Sequence, residues 1–273
     1  MKIKNNYQNE LGFEKEVRKI FLKVGLCDIK NIYLTSNLSK LSQYRIKKKK
    51  KLNIILNVVK NIMGKDSTIF SPAASMNLCN KEEVFDLKKT SSHQMGPLAE
   101  HIRKKSTARS LHPYWSVCAI GKNARLLKNT SRHAYGVGSP WSILLDLDAT
   151  QINFGINPER AVTLIHHVET VVGVPYRYNK EFIHKVKVDG KIRDEKFYLS
   201  TRFKNVEIKK RNELNKHYFQ ELKKNKKIKY YKSKNGMEAW SFKMRDFYNI
   251  AIKIFTKNIY NYLENIPLLK KDL

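Results

Sequence analysis

Apolar residues recur along the chain in two spacings that predict helices and strands. Positions three and four apart form stripes typical of amphipathic helices, as at Phe13, Val17 and Val24. Short unbroken apolar runs, such as residues 31–34, predict buried strands. The predicted helices lie at residues 13–24, 52–63, 95–105, 141–145, 162–172 and 240–263, and the predicted strands at 31–34, 67–72, 115–120 and 152–156.

The same pattern describes the organisation of the chain. Asp189-Gly190 between two apolar stretches predicts a tight hairpin turn. Residues 204–234 are so rich in charge that we expect them to be exposed. No repeat and no flexible linker divides the 273 residues, so we expect one large α/β domain spanning residues 1–273.

The predicted helix at residues 162–172 carries the strongest candidate chemistry. Thr163, His166 and Glu169 are three positions apart and therefore share one face of this helix. An imidazole titrates near neutral pH and can accept a proton from an attacking group, and a carboxylate one turn away can orient it. The same residues also occur on ordinary surface helices, so both interpretations stay open at this point.

The adjacent pair His166-His167 raises the question of a metal site. Neighbours in a helix point about 100° apart, so both cannot easily bind one ion. No cysteine cluster or His-Glu-x-x-His motif is present either, and we expect no metal. Scattered cysteines and an N-terminus without a signal-peptide core favour a cytoplasmic protein, and no apolar run is long enough for a membrane span.

Composition adds a strong positive charge. The chain has 54 lysines and arginines against 24 acidic residues, a net charge of +30, which favours anionic partners. The basic residues are spread over the whole chain, however, and no zinc-finger or RNA-recognition motif is present. A nucleic-acid binder is therefore a minor alternative, and we expect no nucleic-acid partner.

Two polar segments next to predicted strands are candidate ligand loops. The polar turn at residues 35–39 follows a strand, where α/β folds commonly place ligand contacts. The loop with Arg109, Ser110 and His112 offers donors that can hold phosphate or pantetheine oxygens. Both segments can also be ordinary turns. Residues 136–140 are glycine-rich but contain neither a Walker sequence nor a dinucleotide fingerprint.

Four motifs in this order resemble the aminoglycoside 3-N-acetyltransferase family. The family's Arg-Ser-x-His-Pro-x-x-Ser matches residues 109–116, and its Thr-x-x-His-x-x-Glu matches residues 163–169. Its Gly-Ser-Pro matches residues 138–140, and its His-Ser-Ser-Leu-Ser is similar to residues 35–39, where Thr35 replaces the usual histidine. The likeness covers most of residues 14–178, and the part from about residue 179 is more divergent.

The resemblance implies a three-layer α/β/α fold with a mixed central sheet, and transfer of acetyl from acetyl-coenzyme A to an amine. It implies that His166 is the general base, oriented by Glu169 or by an acidic residue of the C-terminal half such as Glu207. Backbone amides or the hydroxyls of Ser36 and Thr163 are candidate donors to the thioester oxygen. No covalent intermediate is required. The candidate coenzyme-binding residues are Ser36, Asn37, Leu38, Arg109, Ser110, His112, Ser116 and Thr163.

The positive charge of the protein affects which acceptor amine we expect. Aminoglycosides are polycations, which a protein at +30 repels at long range unless its cleft is acidic. Basic residues stand where an acidic lip would be expected, at Arg177, Lys180, Lys185 and Lys187. We therefore expect a less cationic small-molecule amine, an amino sugar linked to a nucleotide diphosphate or to a polysaccharide. An aminoglycoside acceptor stays open as an alternative.

Two alternatives to the enzyme stay open as well. One is a non-catalytic coenzyme-binding or interaction protein of the same fold, which the divergent C-terminal part would suit. The other is the basic nucleic-acid binder, which would show a steep dependence of affinity on salt. The protein could also form a homodimer.

Overall fold

The computed structural model describes residues 2–210, 213 and 215–265. Helices and strands alternate along much of the chain, as the apolar pattern predicts. The helices are α1 (Lys2–Lys23), α2 (Lys48–Met63), α3 (Pro97–Lys105), α4 (Pro140–Asp146), α5 (Leu164–Val172), α6 (Lys216–Lys224) and α7 (Met244–Lys257). The strands are β1 (Asn31–Ser36), β2 (Thr68–Pro72), β3 (Phe85–Asp86), β4 (Ala108–Arg109), β5 (Val117–Gly121), β6 (Thr150–Phe154), β7 (Arg177–Val188), β8 (Lys191–Arg202), β9 (Ile228–Lys232) and β10 (Glu238–Lys243).

The main sheet is mixed, and its parallel part lies in the centre. Strand β1 pairs in parallel with β2 on one side and with β6 on the other, so that Ile32 stands between Ile69 and Thr150. Antiparallel strands extend the sheet at both ends, which gives the order β4-β5-β2-β1-β6-β10-β9. The predicted mixed central sheet is therefore confirmed.

Helices cover both faces of this sheet. Because successive side chains of a strand point to opposite faces, Ile32 and Leu34 of β1 pack on one face and Tyr33 on the other. The first two belong to an apolar cluster with residues of α1, α2 and α3, and Tyr33 belongs to a second cluster with residues of α4, α5, α6 and α7. These clusters form the two cores of a three-layer α/β/α fold, as the resemblance implies.

Helix α1 is amphipathic. Phe13, Val17 and Ile20 are fully buried, as their spacing predicts, while much of the remaining surface from residue 10 onward is polar. The helix has 22 residues, yet no helix in the described part of the chain is both long and apolar enough to cross a bilayer.

A long hairpin forms a second, smaller sheet. Strands β7 and β8 pair over twelve positions and are joined at Asp189-Gly190, so the predicted turn is confirmed. Both turn residues have positive φ, 48° and 84°, the left-handed conformation for which Asp-Gly is favoured. Phe85 of β3 pairs with Val186, and an apolar cluster that includes Phe197 lies beneath the hairpin.

The prediction that residues 204–234 are exposed is wrong for α6. Tyr218 and Phe219 lie one helical turn before Leu222, and all three are fully buried, while the lysines occupy the opposite face. The predicted terminal helix is also too long at its start, because Trp240 lies in β10, and α7 begins at Met244. In α6, the many charged residues outweigh the short apolar stripe in the sequence pattern. At α7, strand β10 continues directly into the helix, so the apolar pattern shows no boundary between them.

Candidate active site

A cavity of about 760 Å³ opens at the carboxyl ends of the central strands. This volume lies within the range of pockets that bind small molecules and cofactors. The segment that follows β1, the first turn of α2, the segment before α3 and the start of α5 form its walls. The apolar part of the lining includes Tyr33, Trp115, Val117 and Trp141, and the polar part includes Ser36, Asn37, Ser116 and Thr163.

A close approach between two backbones fixes the segment after β1. The amide of Asn37 donates a hydrogen bond to the carbonyl of Phe154 at 2.9 Å. The next residue, Gly155, has a φ of +72°, and a Cβ at this position would lie 2.1 Å from the carbonyl oxygen of Asn37. Only glycine fits there, and its presence holds Ser36, Asn37 and Leu38 in the cavity wall.

One wall of the cavity is basic. Lys48 and Lys51 of α2 line it, and Arg160 is also part of the lining. The first turn of α2 has no acidic residue, so these lysines add to the positive end of the helix dipole. Partial burial lowers the pKa of Lys51, whose ammonium donates to the carbonyl of Leu41 at 2.5 Å. This wall is therefore suited to an anionic group such as a phosphate.

His166 and Glu169 form a dyad on α5. Nδ1 of His166 lies 2.6 Å from Oε2 of Glu169. The other carboxylate oxygen accepts a hydrogen bond from the Tyr176 hydroxyl at 2.8 Å and lies 3.0 Å from Nε of Arg177. Burial opposes the charge of Glu169, but the hydrogen bond from His166 and the charge of Arg177 outweigh it and hold the pKa of this carboxyl below its usual value.

This arrangement determines which nitrogen of His166 carries the proton. An ionised carboxylate only accepts hydrogen bonds, so Nδ1 must donate to Glu169. In the neutral ring, Nε2 then holds the free lone pair. The His166 side chain is 31% exposed, whereas that of Glu169 is 0% exposed. The dyad can therefore present a neutral, oriented imidazole to a substrate while its carboxylate stays out of water.

The dyad lies beside the cavity. Thr163 belongs to the cavity wall, and its carbonyl accepts a hydrogen bond from the amide of His166 at 3.0 Å. Trp115 of the lining is 6.3 Å from the ring centre of Tyr135, which in turn is 5.6 Å from the ring centre of His166. His166 is itself not part of the cavity lining and lies one helical turn from Thr163, which is.

Three candidate coenzyme residues lie behind the cavity wall instead, and the first is Arg109. Its guanidinium is buried and donates to the carbonyls of Thr90 and Ala73 at 2.6 and 2.5 Å and to the hydroxyl of Ser116 at 2.9 Å. These protein acceptors occupy the donors that were expected to hold coenzyme oxygens. Arg109 therefore braces the loops around the cavity, and its coenzyme contact stays a prediction.

Ser110 and His112 are also used within the protein. The Ser110 hydroxyl accepts a hydrogen bond from the amide of Val117 at 2.9 Å. Nδ1 of His112 accepts from the amide of Trp115 at 3.1 Å, so Nε2 donates to the carbonyl of Tyr198 at 3.3 Å. Burial lowers the pKa of His112 to about 4. Both side chains form hydrogen bonds, as the motif predicts, but their partners are backbone groups of the protein near the start of β5 and in β8.

The remaining candidates divide between the wall and the surface. Ser36, Asn37, Leu38, Ser116 and Thr163 line the cavity. The Ser116 hydroxyl already donates to Ala73, whereas the structure gives the buried Ser36 hydroxyl oxygen no hydrogen-bond partner within the described residues.

Glu207 is exposed, and among the described residues no hydrogen bond or ion pair joins its side chain to His166. Of the two candidate carboxylates, Glu169 is the one that contacts the imidazole.

The sequence motifs do not identify the partners of Glu169 or the basic part of the cavity wall. Tyr176 and Arg177 directly follow the Val-Pro step that ends the α5 segment, so their position in the chain was the available signal. Lys48 and Lys51 belong to a run of five lysines, a pattern that is typical of solvated segments. Their side of the helix becomes evident only once α2 begins at Lys48.

Two further side chains with reactive groups, Cys118 and His167, are buried in the fold. Cys118 lies in β5, and burial raises the pKa of its thiol to about 12. His167 is buried, and its Nδ1 accepts a hydrogen bond from the amide of Gly136 at 3.2 Å. Within residues 2–210, 213 and 215–265, histidine, cysteine and acidic side chains form no group of three that could hold a metal ion.

Comparisons with known proteins agree on one family. Residues 35–256 match the family model described as aminoglycoside 3-N-acetyltransferase. The structure is similar to aminoglycoside acetyltransferase AAC(3)-Xa, with 16% identity and a TM-score of 0.76 over 89% of this chain and 92% of that chain.

AAC-VIa bound to sisomicin is similar as well, with 15% identity and a TM-score of 0.75 over 89% of this chain and 97% of that chain. YokD protein from Bacillus subtilis has 17% identity and a TM-score of 0.72 over 93% of this chain and 95% of that chain. At these identities the structural likeness shows a shared fold. No curated protein sequence matches the chain.

Proposed function

The chain belongs to the aminoglycoside 3-N-acetyltransferase family, and on this premise we propose that it moves acetyl directly from acetyl-coenzyme A to the amine of an amino sugar, with His166 as general base. It is thus an acetyl-coenzyme A-dependent N-acetyltransferase. The observation that carries the assignment of the base is the 2.6 Å contact between His166 and the buried Glu169, one turn from Thr163 in the cavity wall.

The basic residues of the cavity lining support coenzyme binding there. Lys48, Lys51 and Arg160 suit its phosphates, because they supply positive charge on the cavity walls. The pantetheine arm would pass along the segment at residues 36–38 toward the aromatic part of the lining. The thioester would then lie near Thr163, beside the imidazole.

The reaction follows from this arrangement. The neutral amine nitrogen forms a bond to the thioester carbon while Nε2 of His166 removes its proton. The carbon–sulfur bond breaks, and coenzyme A leaves as a thiolate that takes up the proton from the imidazolium. Glu169 stabilises the imidazolium through Nδ1. The hydroxyls of Ser36 and Thr163 are the side-chain donors best placed for the charge on the thioester oxygen.

The acceptor follows from the charge around the site. The net charge of +30 disfavours a polycationic drug, and Arg177 and Lys180 begin the hairpin beside the dyad. An amino sugar carried on a nucleotide diphosphate would present phosphates to the exposed Lys180 and a single amine to His166. The family relationship favours the alternative, an aminoglycoside amine, since the similar structures are named as aminoglycoside acetyltransferases.

A thiol-release assay tests both parts of the proposal. Wild type and His166→Ala would be incubated with acetyl-coenzyme A and with nucleotide amino sugars, free amino sugars or kanamycin-like drugs. We expect thiol release with the nucleotide amino sugars, and a loss of kcat of about 10²–10⁴-fold in His166→Ala. Faster turnover of the drugs would replace the proposed acceptor, and unchanged turnover in His166→Ala would exclude the base. His133→Ala serves as a histidine control, because His133 stacks on Tyr198, away from the dyad.

A further inference from the structure

A guanidinium from the hairpin contacts the dyad. Arg177 is the first residue of β7, and its side chain is 11% exposed. Its Nε lies 3.0 Å from Oε1 of Glu169, and its Nη2 lies 3.3 Å from Nδ1 of His166. We propose that Arg177 is a positioning residue that keeps Glu169 ionised and His166 neutral, with Nε2 as the free base. This inference rests on the proposed function of His166.

The hairpin holds this guanidinium independently of α5. Nη1 of Arg177 donates to the carbonyl of Ser200 on β8 at 3.1 Å. The cation is therefore anchored to one element while it acts on a dyad carried by another. Because Nδ1 of His166 carries the proton that it donates to Glu169, it has no lone pair with which to accept a hydrogen bond from Nη2 of Arg177, and their 3.3 Å approach is an electrostatic contact.

The charges around the imidazole give Arg177 a defined effect. Glu169 approaches from the same helix, Tyr176 and Arg177 from the segment after it, and the Tyr135 ring from the loop before α4. Of these four groups, Glu169 and Arg177 carry charge at neutral pH. The carboxylate favours a proton on the imidazole, and the guanidinium opposes it. The guanidinium therefore offsets part of the attraction that the carboxylate exerts on a proton of the dyad.

Removal of the cation should therefore raise the proton affinity of the dyad. The effect has one direction, because loss of a neighbouring positive charge favours proton uptake whichever of the two groups binds the proton. Arg177→Lys keeps the charge, and Arg177→Met removes it while it keeps much of the apolar stem. The cross-strand neighbour supplies a matched control, Arg202→Met, since Arg202 contacts the carbonyl of Val206 instead.

Nitrogen NMR of the histidine side chains measures this effect without any substrate. The resonances of His166 are assigned by their loss in His166→Ala, and each variant is then titrated. We expect the midpoint to rise by about one pH unit or more in Arg177→Met, a tenfold change in proton affinity. Arg177→Lys and Arg202→Met should stay within about 0.3 pH units of wild type. An unchanged or lower midpoint in Arg177→Met would overturn the inference.

The pH dependence of catalysis gives a second readout. In Arg177→Met the acid limb of kcat/KM should move upward with the NMR midpoint, while KM for acetyl-coenzyme A stays near that of wild type. Equal losses in Arg177→Met and Arg177→Lys with no movement of the limb would mean a structural role only. If Arg177→Met fails to fold by circular dichroism, Arg177→Gln takes its place. Absence of thiol release by wild type would remove the proposed function, and the NMR titration would still test Arg177.

Discussion

Nδ1 of His166 lies 2.6 Å from Oε2 of Glu169, one helical turn further along α5. Glu169→Gln keeps the size of the side chain and removes its negative charge. Because the imidazolium formed during the reaction then loses its counter-charge, we expect kcat to fall by about 10²-fold or more. KM for acetyl-coenzyme A should change by less than about twofold, because Glu169 is buried beside the cavity and does not line it, so we expect no contact with the bound coenzyme. Steady-state thiol release measures both constants.

Glu207→Gln removes the same charge from the other acidic residue considered for this role. Glu207 is exposed, so we expect activity within about twofold of wild type. A large loss in Glu207→Gln with little loss in Glu169→Gln would reverse the assignment of the carboxylate.

The lysines at the start of α2 are predicted to act on binding alone. Lys48 and Lys51 line the cavity, and because Lys48 is exposed and Lys51 half-buried, each contact of an ammonium with a phosphate is worth about 0.5–1 kcal/mol. The double variant Lys48→Ala, Lys51→Ala should therefore raise KM for acetyl-coenzyme A about tenfold, with little change in kcat. Higher salt should reduce the difference from wild type.

Lys47 and Lys49 make a control with the same loss of charge. Both are exposed and belong to the same lysine run. The double variant Lys47→Ala, Lys49→Ala should leave KM within about threefold, because charges outside the cavity are screened by solvent. Equal effects of the two double variants would mean that net charge, and not the cavity wall, attracts the coenzyme.

Gly155 should tolerate no side chain. Alanine there would require both a positive φ and a displacement of the Asn37 carbonyl, since its Cβ would lie 2.1 Å from that oxygen. We expect Gly155→Ala to lower the free energy of unfolding by about 3 kcal/mol and to weaken coenzyme binding as the segment after β1 moves. Urea denaturation and the KM for acetyl-coenzyme A measure the two effects.

Gly190 separates the cost of the backbone conformation from the cost of the clash. It has a φ of +84°, but a Cβ there would meet no atom within 4 Å. Gly190→Ala should therefore cost about 1 kcal/mol and leave coenzyme binding unchanged. An equal cost at both glycines would mean that the close approach to Asn37 does not constrain the fold.

The dyad could be predicted from the sequence because it is local. His166 and Glu169 are three positions apart on one helix, and helical geometry alone brings them together. The three-layer fold could be predicted from its resemblance and from apolar spacing. In α6, the apolar stripe is three residues long within a lysine-rich segment, so composition outweighed periodicity.

The coenzyme contacts were harder to predict because they depend on what each donor already binds. Arg109 and His112 have the right chemistry for a coenzyme, but acceptors at Ala73, Thr90 and Tyr198 occupy them. These acceptors lie 19 to 86 positions away in the chain. The sequence does not show which distant backbone carbonyls a side-chain donor will meet in the fold. The type of donor alone therefore cannot distinguish a residue that holds the protein's own loops from one that binds the coenzyme.

Two buried histidines make the stability of the fold depend on pH. His112 and His167 are buried, and burial lowers the pKa of each from 6.5 to about 4. Between pH 6.5 and about 4, these histidines are protonated in the unfolded chain but not in the folded protein. The free energy of unfolding therefore falls as the pH decreases through this window. Above the unfolded pKa of 6.5 the contribution is fully present. His101, His184 and His217 act in the same direction, since burial lowers the pKa of each.

Urea denaturation at pH 7.5 and pH 5 measures this loss. Each of the two histidines should contribute about 2 kcal/mol to the change, because one pKa unit corresponds to 1.36 kcal/mol. His167→Gln retains an acceptor for the Gly136 amide and cannot be protonated. It should therefore lose about 2 kcal/mol less than wild type between the two conditions. The carboxyl groups are the same in wild type and His167→Gln, so their contribution cancels in this comparison. Equal pH dependence in wild type and His167→Gln would contradict the assignment of His167 as a neutral, buried imidazole.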